Sequence, residues 1–128
     1  MRCARLADMS DNEQSGWRDS TIDAAEAQTH PETAEAVQAI ERLRGSIDNV
    51  DTAIVMLLAE RFKYTEEVGR WKAQAGFAPA DAEREHRQVA RLRALAEQAG
   101  LDPDIAEGYH AFVVGESKTR HQRIADAS

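Results

Sequence analysis

One stretch of this chain limits its fold more than any other: from Pro31 to Gly76 a helical pattern runs without a break. Thr29-His30-Pro31-Glu32 supplies the start, with Thr29 as cap, Glu32 three residues on, and Pro31 in the first turn, where its missing N–H costs least. Gly76, after Lys72-Ala73-Gln74-Ala75, supplies the stop. At 1.5 Å per residue such a helix is on the order of 65–70 Å long. Ile40, Leu43, Ile47, Val50, Ile54 and Leu57 recur along it at spacings of three and four, and Leu58 and Val68 extend the stripe. The rest of a 128-residue chain is too short to cover that seam. It calls for a partner helix of similar length, and a second copy of the chain is the expected donor.

After a break at residues 76–79, Asp81 caps a second helix that runs to Ala99, with Val89, Leu92 and Ala96 facing inward and Gly100 ending it. Asp102-Pro103 then opens a third, with Ile105, Tyr109, Phe112, Val113 and Ile124 as its inward residues. Aromatic residues make up only 5% of the chain, and helix formers dominate. The expected fold is all-α: one very long helix plus two shorter ones, in an intertwined homodimer. Residues 30–128 are expected to form the helical domain, and residues 1–29 read as a disordered acidic extension, in which Trp17 is a lone aromatic and a small docking contact there is the minor reading.

Charge narrows the function. The net charge of −7 argues against nucleic-acid binding, yet residues 1–36 alone carry −5, leaving −2 for the body. A near-neutral body can gather its cations in one pocket, so an anionic substrate remains open. Cys3 is the one cysteine, which rules out an internal disulfide and fits a reducing compartment. No apolar run reaches signal-peptide or membrane-span length, so a cytoplasmic protein without a membrane partner is expected.

The informative residues are polar groups on apolar stripes. At 100° per residue, Arg61 falls about 20° from Ile54, and Lys72 about 20° from Arg61. Burying an unpaired cation costs several kcal/mol, so both need partners. A structural ion pair or a snorkelling side chain would serve, and so would an anionic ligand. Arg44 stands 17 residues before Arg61, about 25 Å away along one helix. The two cannot grip one small molecule within a chain, but antiparallel pairing of two long helices brings Arg44 of one chain toward Arg61 or Lys72 of the other. On the third helix Val113, Ser117 and His121 step by four, so Ser117 and His121 look inward. Arg84 and Glu85 stand in the first turn of the second helix, just after Asp81.

Leu43-Arg44 with Ile47 and Asp51, Leu58-Ala59-Glu60-Arg61, Val68-Gly69-x-x-Lys72, Asp81-x-x-Arg84-Glu85 and finally Ser117 follow one another in an order and at separations that resemble the all-helical (AroQ-class) chorismate mutases. The resemblance covers residues 37–124. It implies a helical homodimer with two equivalent sites and no cofactor, converting the dianion chorismate to prephenate by a Claisen rearrangement. It further implies that Arg61 and the second subunit's Arg44 hold the substrate carboxylates with help from Ser117, and that Arg84, Glu85 and the backbone near Asp81 bind the ring side, Glu85 taking the hydroxyl. Lys72 would donate to the ether oxygen. His121 stands where bacterial members place a glutamine, and is expected to replace it as second donor. Isochorismate-pyruvate lyases and aminodeoxychorismate mutases on the same scaffold are alternatives, as is a non-catalytic helical regulatory dimer. Some stand-alone members also bind the first enzyme of the shikimate pathway, so that enzyme is an implied partner. No fused dehydratase or dehydrogenase is expected beyond Ser128.

Overall fold

A computed structural model describes residues 21–22 and 29–127. The expected extension over residues 1–29, Trp17 included, lies outside the described residues except at Thr21, Ile22 and Thr29. Helix α1 spans Ala34–Ala75, α2 Ala82–Ala99 and α3 Pro103–Ala127, and a short 3-10 turn at Pro31–Thr33 leads into α1. No strand occurs among the described residues. No helix among them is long and apolar enough to cross a membrane.

The start of α1 is displaced from its expected position. His30, not Thr29, takes the N-cap place before the turn, in an extended conformation (φ −86°, ψ 119°). Proline disfavours the helical region for the residue before it, which fits the extended His30 and leaves Pro31 as the first residue of the turn. The other boundaries follow their local chemistry. Asp81 accepts the Arg84 N–H through Oδ1 at 3.1 Å, and Asp102 accepts the Asp104 N–H at 2.9 Å. Gly76 and Gly100 adopt φ of +78° and +75°, which only glycine does without strain. Each closes its helix in a Schellman arrangement: Phe77 N–H donates to the Lys72 carbonyl at 2.8 Å, and Leu101 N–H to that of Ala96 at 2.8 Å.

The chain divides into two compact units, Met1–Ile54 and Val55–Ser128. In the first, Leu43, Ile47, Val50 and Ile54 are all exposed, at 46–62%. The second contains α2 packed on α3, with Ala96, Ala106 and Val113 as its fully apolar buried residues. Arg93 on α2 reaches both Asp104 (3.1 Å) and Glu107 (2.7 Å) on α3 and ties the pair at its surface.

The buried face of α3 differs from the expected one. Val113 is completely buried and Ile124 half-buried, but Ile105, Tyr109 and Phe112 are exposed. The packed stripe is instead Ala106, His110, Val113, Ser117 and His121. These recur at three and four, as a helix face must, yet three of the five are polar. Large apolar residues mark the core only when the core holds no polar site, and here it does.

Candidate active site

One cavity in the second unit is lined by residues from α1, α2, α3 and the segment before α2. Arg61, Lys72, Asp81, Arg84, Glu85, Ser117 and His121, all expected site residues, border it together. Arg44 does not; it lies in the first unit, beside Glu41 at 3.5 Å.

The elements explain the convergence. On α1, Arg61, Thr65, Val68 and Lys72 repeat at helical spacing and so present one face. The Arg61 guanidinium stands 6.0 Å from the centroid of the Tyr109 ring. Its Nη1 is buried without a hydrogen-bond partner among the described residues, which is costly unless a ligand supplies one. Lys72 has a partner, as its place on the stripe requires, and that partner is a backbone oxygen: its Nζ donates to the Pro79 carbonyl at 3.1 Å. The Schellman turn at Gly76 folds the following segment back, and so brings a backbone oxygen within reach of the side chain.

The capped N-terminus of α2 supplies the next wall. Asp81 is committed to the Arg84 N–H, while the Arg84 and Glu85 side chains border the cavity. Glu85 is held by Lys118 of α3, Nζ to Oε2 at 3.0 Å.

On α3, His110, Ser117 and His121 share the buried face. Ser117 Oγ has no partner among the described residues, and neither does His110 Nε2. Burial pushes the His110 imidazole below its ordinary pKa; Arg61 adds to that, and Glu85 and Glu107 oppose it more weakly. His121 donates from Nε2 to the Thr65 carbonyl on α1 at 2.6 Å. With that nitrogen protonated, Nδ1 of the neutral ring can only accept. Close approach of the ring to α1 depends on Gly69, where a Cβ would lie 2.6 Å from His121 Cδ2.

Four cations (Arg61, Lys72, Arg84, Lys118) thus face two carboxylates (Asp81, Glu85) around one cavity, a local surplus of two positive charges in a chain of net −7. Among the described residues, no group of three or more His, Cys, Asp or Glu side chains could hold a metal ion. The arrangement suits an anion, and its fixed cations can stabilise charge that develops on a bound molecule. His110 and Lys118 were missed from the sequence. Stepping back from Ser117 by seven would have found His110 on the same helix face; Lys118 has no local signal, since its partner is on another helix.

Comparison with known proteins identifies the family. Residues 43–122 match the family model for chorismate mutase type II, a span that runs from just before Arg44 to just past His121. The chain is 39% identical over 83 residues to a T-protein of Enterobacter agglomerans, covering 65% of this chain and 22% of that one. It is 34% identical over 71 residues to a T-protein of Haemophilus influenzae, covering 56% of this chain and 19% of that one. The chain therefore spans about a fifth of the length of these two relatives. With a chorismate mutase of Methanocaldococcus jannaschii it shares 32% identity over 90 residues, covering 70% of this chain and 91% of that one. An all-helical fold, a family match across more than half the chain and a relative covered almost end to end agree: this chain belongs to the chorismate mutase type II family.

Proposed function

We propose that the chain is a chorismate mutase, an isomerase that rearranges chorismate to prephenate in aromatic amino acid biosynthesis. The observation that carries the reading is the cavity's surplus of two positive charges, with the buried Nη1 of Arg61 left for a ligand. Chorismate is a dianion, so its charge matches. The rearrangement breaks one C–O bond and forms one C–C bond within the same molecule, without a nucleophile or a proton transfer. What it needs is a held chair-like conformer and cations aimed at the ether oxygen as it becomes negative.

In this reading Arg61 takes one substrate carboxylate, with Ser117 Oγ beside it. Lys72, held by the Pro79 carbonyl, donates to the ether oxygen. Arg84 and Glu85 address the ring side, and Asp81 acts by capping α2 and fixing where they stand. His121, its Nε2–H engaged with Thr65, becomes a second donor to the ether oxygen only as imidazolium. Arg44 completes the site from a second copy of the chain, whose α1 covers the exposed stripe of Leu43, Ile47, Val50 and Ile54.

The test is loss of chorismate absorbance with the purified protein, with prephenate and pyruvate both assayed. Prephenate is the expected product. Pyruvate in its place would mean a lyase, and persistence of chorismate would remove the proposal. Lys72→Ala is expected to lower kcat by about 10²–10³-fold, the scale for losing one donor to developing negative charge.

A further inference from the structure

We infer that Lys118 sets the substrate preference of the cavity: paired with Glu85, it makes the ring side accept a hydroxyl and refuse an ammonium. The inference rests on the mutase reading, in which Glu85 takes the ring hydroxyl, and extends it to a residue which that reading leaves unused.

Glu85 and Lys118 border the same cavity from different helices, and Nζ meets Oε2 at 3.0 Å. Both are partly exposed, at 28% and 44% of their side chains, so the pair adds little to stability. Its consequence is for binding. A carboxylate standing alone would attract a protonated ring amine more strongly than a neutral hydroxyl, because it offers that amine both a hydrogen bond and an opposite charge. With Lys118 on Oε2, the charge of Glu85 is already matched and one oxygen is committed. A hydroxyl can still donate to the other oxygen, since it brings no charge.

An ammonium at that place would stand beside Lys118, and Arg84 of the same first turn also borders the cavity. The other polar residues of α3 at the cavity, His110, Ser117 and His121, carry no negative charge, and Asp81, the cavity's second carboxylate, is engaged by the Arg84 N–H. Like charges brought together in this way are costly, and discrimination between near-isosteric ligands depends on such a repulsive element as much as on an attractive one. Lys118 acts through Glu85 and is a specificity-determining residue, distinct from the groups that stabilise the breaking bond.

The experiment compares kcat/KM for chorismate and for 4-amino-4-deoxychorismate in the wild-type chain and in Lys118→Met, Lys118→Gln and Lys118→Arg. Wild type is expected to favour chorismate. Met and Gln should each shift the ratio toward the amino substrate by about ten-fold or more, chiefly through its KM, and Arg should keep the wild-type ratio. A purely structural role would lower both substrates by the same factor and leave the ratio alone. Chorismate turnover by wild type, with a ratio unmoved in Met and Gln, overturns this inference only. Turnover of neither substrate by wild type overturns the mutase reading, and this inference with it.

Discussion

His110 shows how one buried side chain can couple the site to the stability of the fold. Its ring is shut away from water beside Arg61, and both effects disfavour the imidazolium. In the unfolded chain the same ring titrates near 6.5. Below that pH the unfolded state binds a proton that the folded state resists, so the contribution of His110 is complete above about pH 6.5 and is lost as pH falls toward the lower folded pKa. His110→Phe removes this linkage. The melting temperature of wild type should therefore fall more steeply from about pH 7.5 to about pH 5.5 than that of the variant, and parallel profiles would contradict the argument. Arg61 and Lys72 were legible in the sequence because a cation on an apolar stripe is an anomaly that one helix displays by itself. His110 and Lys118 were not. Their significance depends on Arg61 and Glu85, which other helices bring to them.

Among the elements, the contact between α1 and α3 turns on the absence of one side chain. The His121 ring is fixed to the Thr65 carbonyl, and a Cβ at Gly69, one turn further along α1, would meet it at 2.6 Å and Ile124 Cδ1 at 3.1 Å. Gly69→Ala gains about 1 kcal/mol of helix propensity. Overpacking against an anchored ring costs about 1–3 kcal/mol, so net destabilisation is expected. Gly108, with nothing within 4 Å of a built Cβ, is the control: Gly108→Ala should stabilise by up to about 1 kcal/mol. Denaturant midpoints of the two variants should move in opposite directions, and equal shifts would remove the packing argument. Local chemistry made most of the element boundaries legible, since Asp81, Gly76, Gly100 and Asp102 each act through a few neighbouring peptide groups. The inward face of α3 was harder. Ile105, Tyr109 and Phe112 form a larger apolar stripe than the face that is buried, and no single helix reveals that its partners enclose a polar cavity.

For the molecule as a whole, the proposed pairing of two copies makes a sharp demand on Arg44. If it serves the other subunit's site, Arg44→Ala and Lys72→Ala each inactivate a homodimer, yet a mixed dimer regains one intact site. Co-refolding the two inactive variants in equal amounts should then restore about a quarter of wild-type activity, because random pairing makes half the dimers mixed and each of those has one good site of two. No recovery from two variants that are each inactive would mean that Arg44 does not serve the other subunit's site, and an Arg44→Ala homodimer of wild-type activity would mean that it serves no site. The proposed assembly would be one way for the whole chain to prepare a site; the bend after α1 is another. Lys72 holds that bend twice, through its carbonyl to Phe77 and through its ammonium to Pro79. A lysine arm at liberty carries about 2 kcal/mol of rotamer entropy. Here much of that freedom is surrendered during folding, so an arriving anion meets a cation already held in place. The ordering penalty is charged against the stability of the protein, and the affinity for the ligand is spared it.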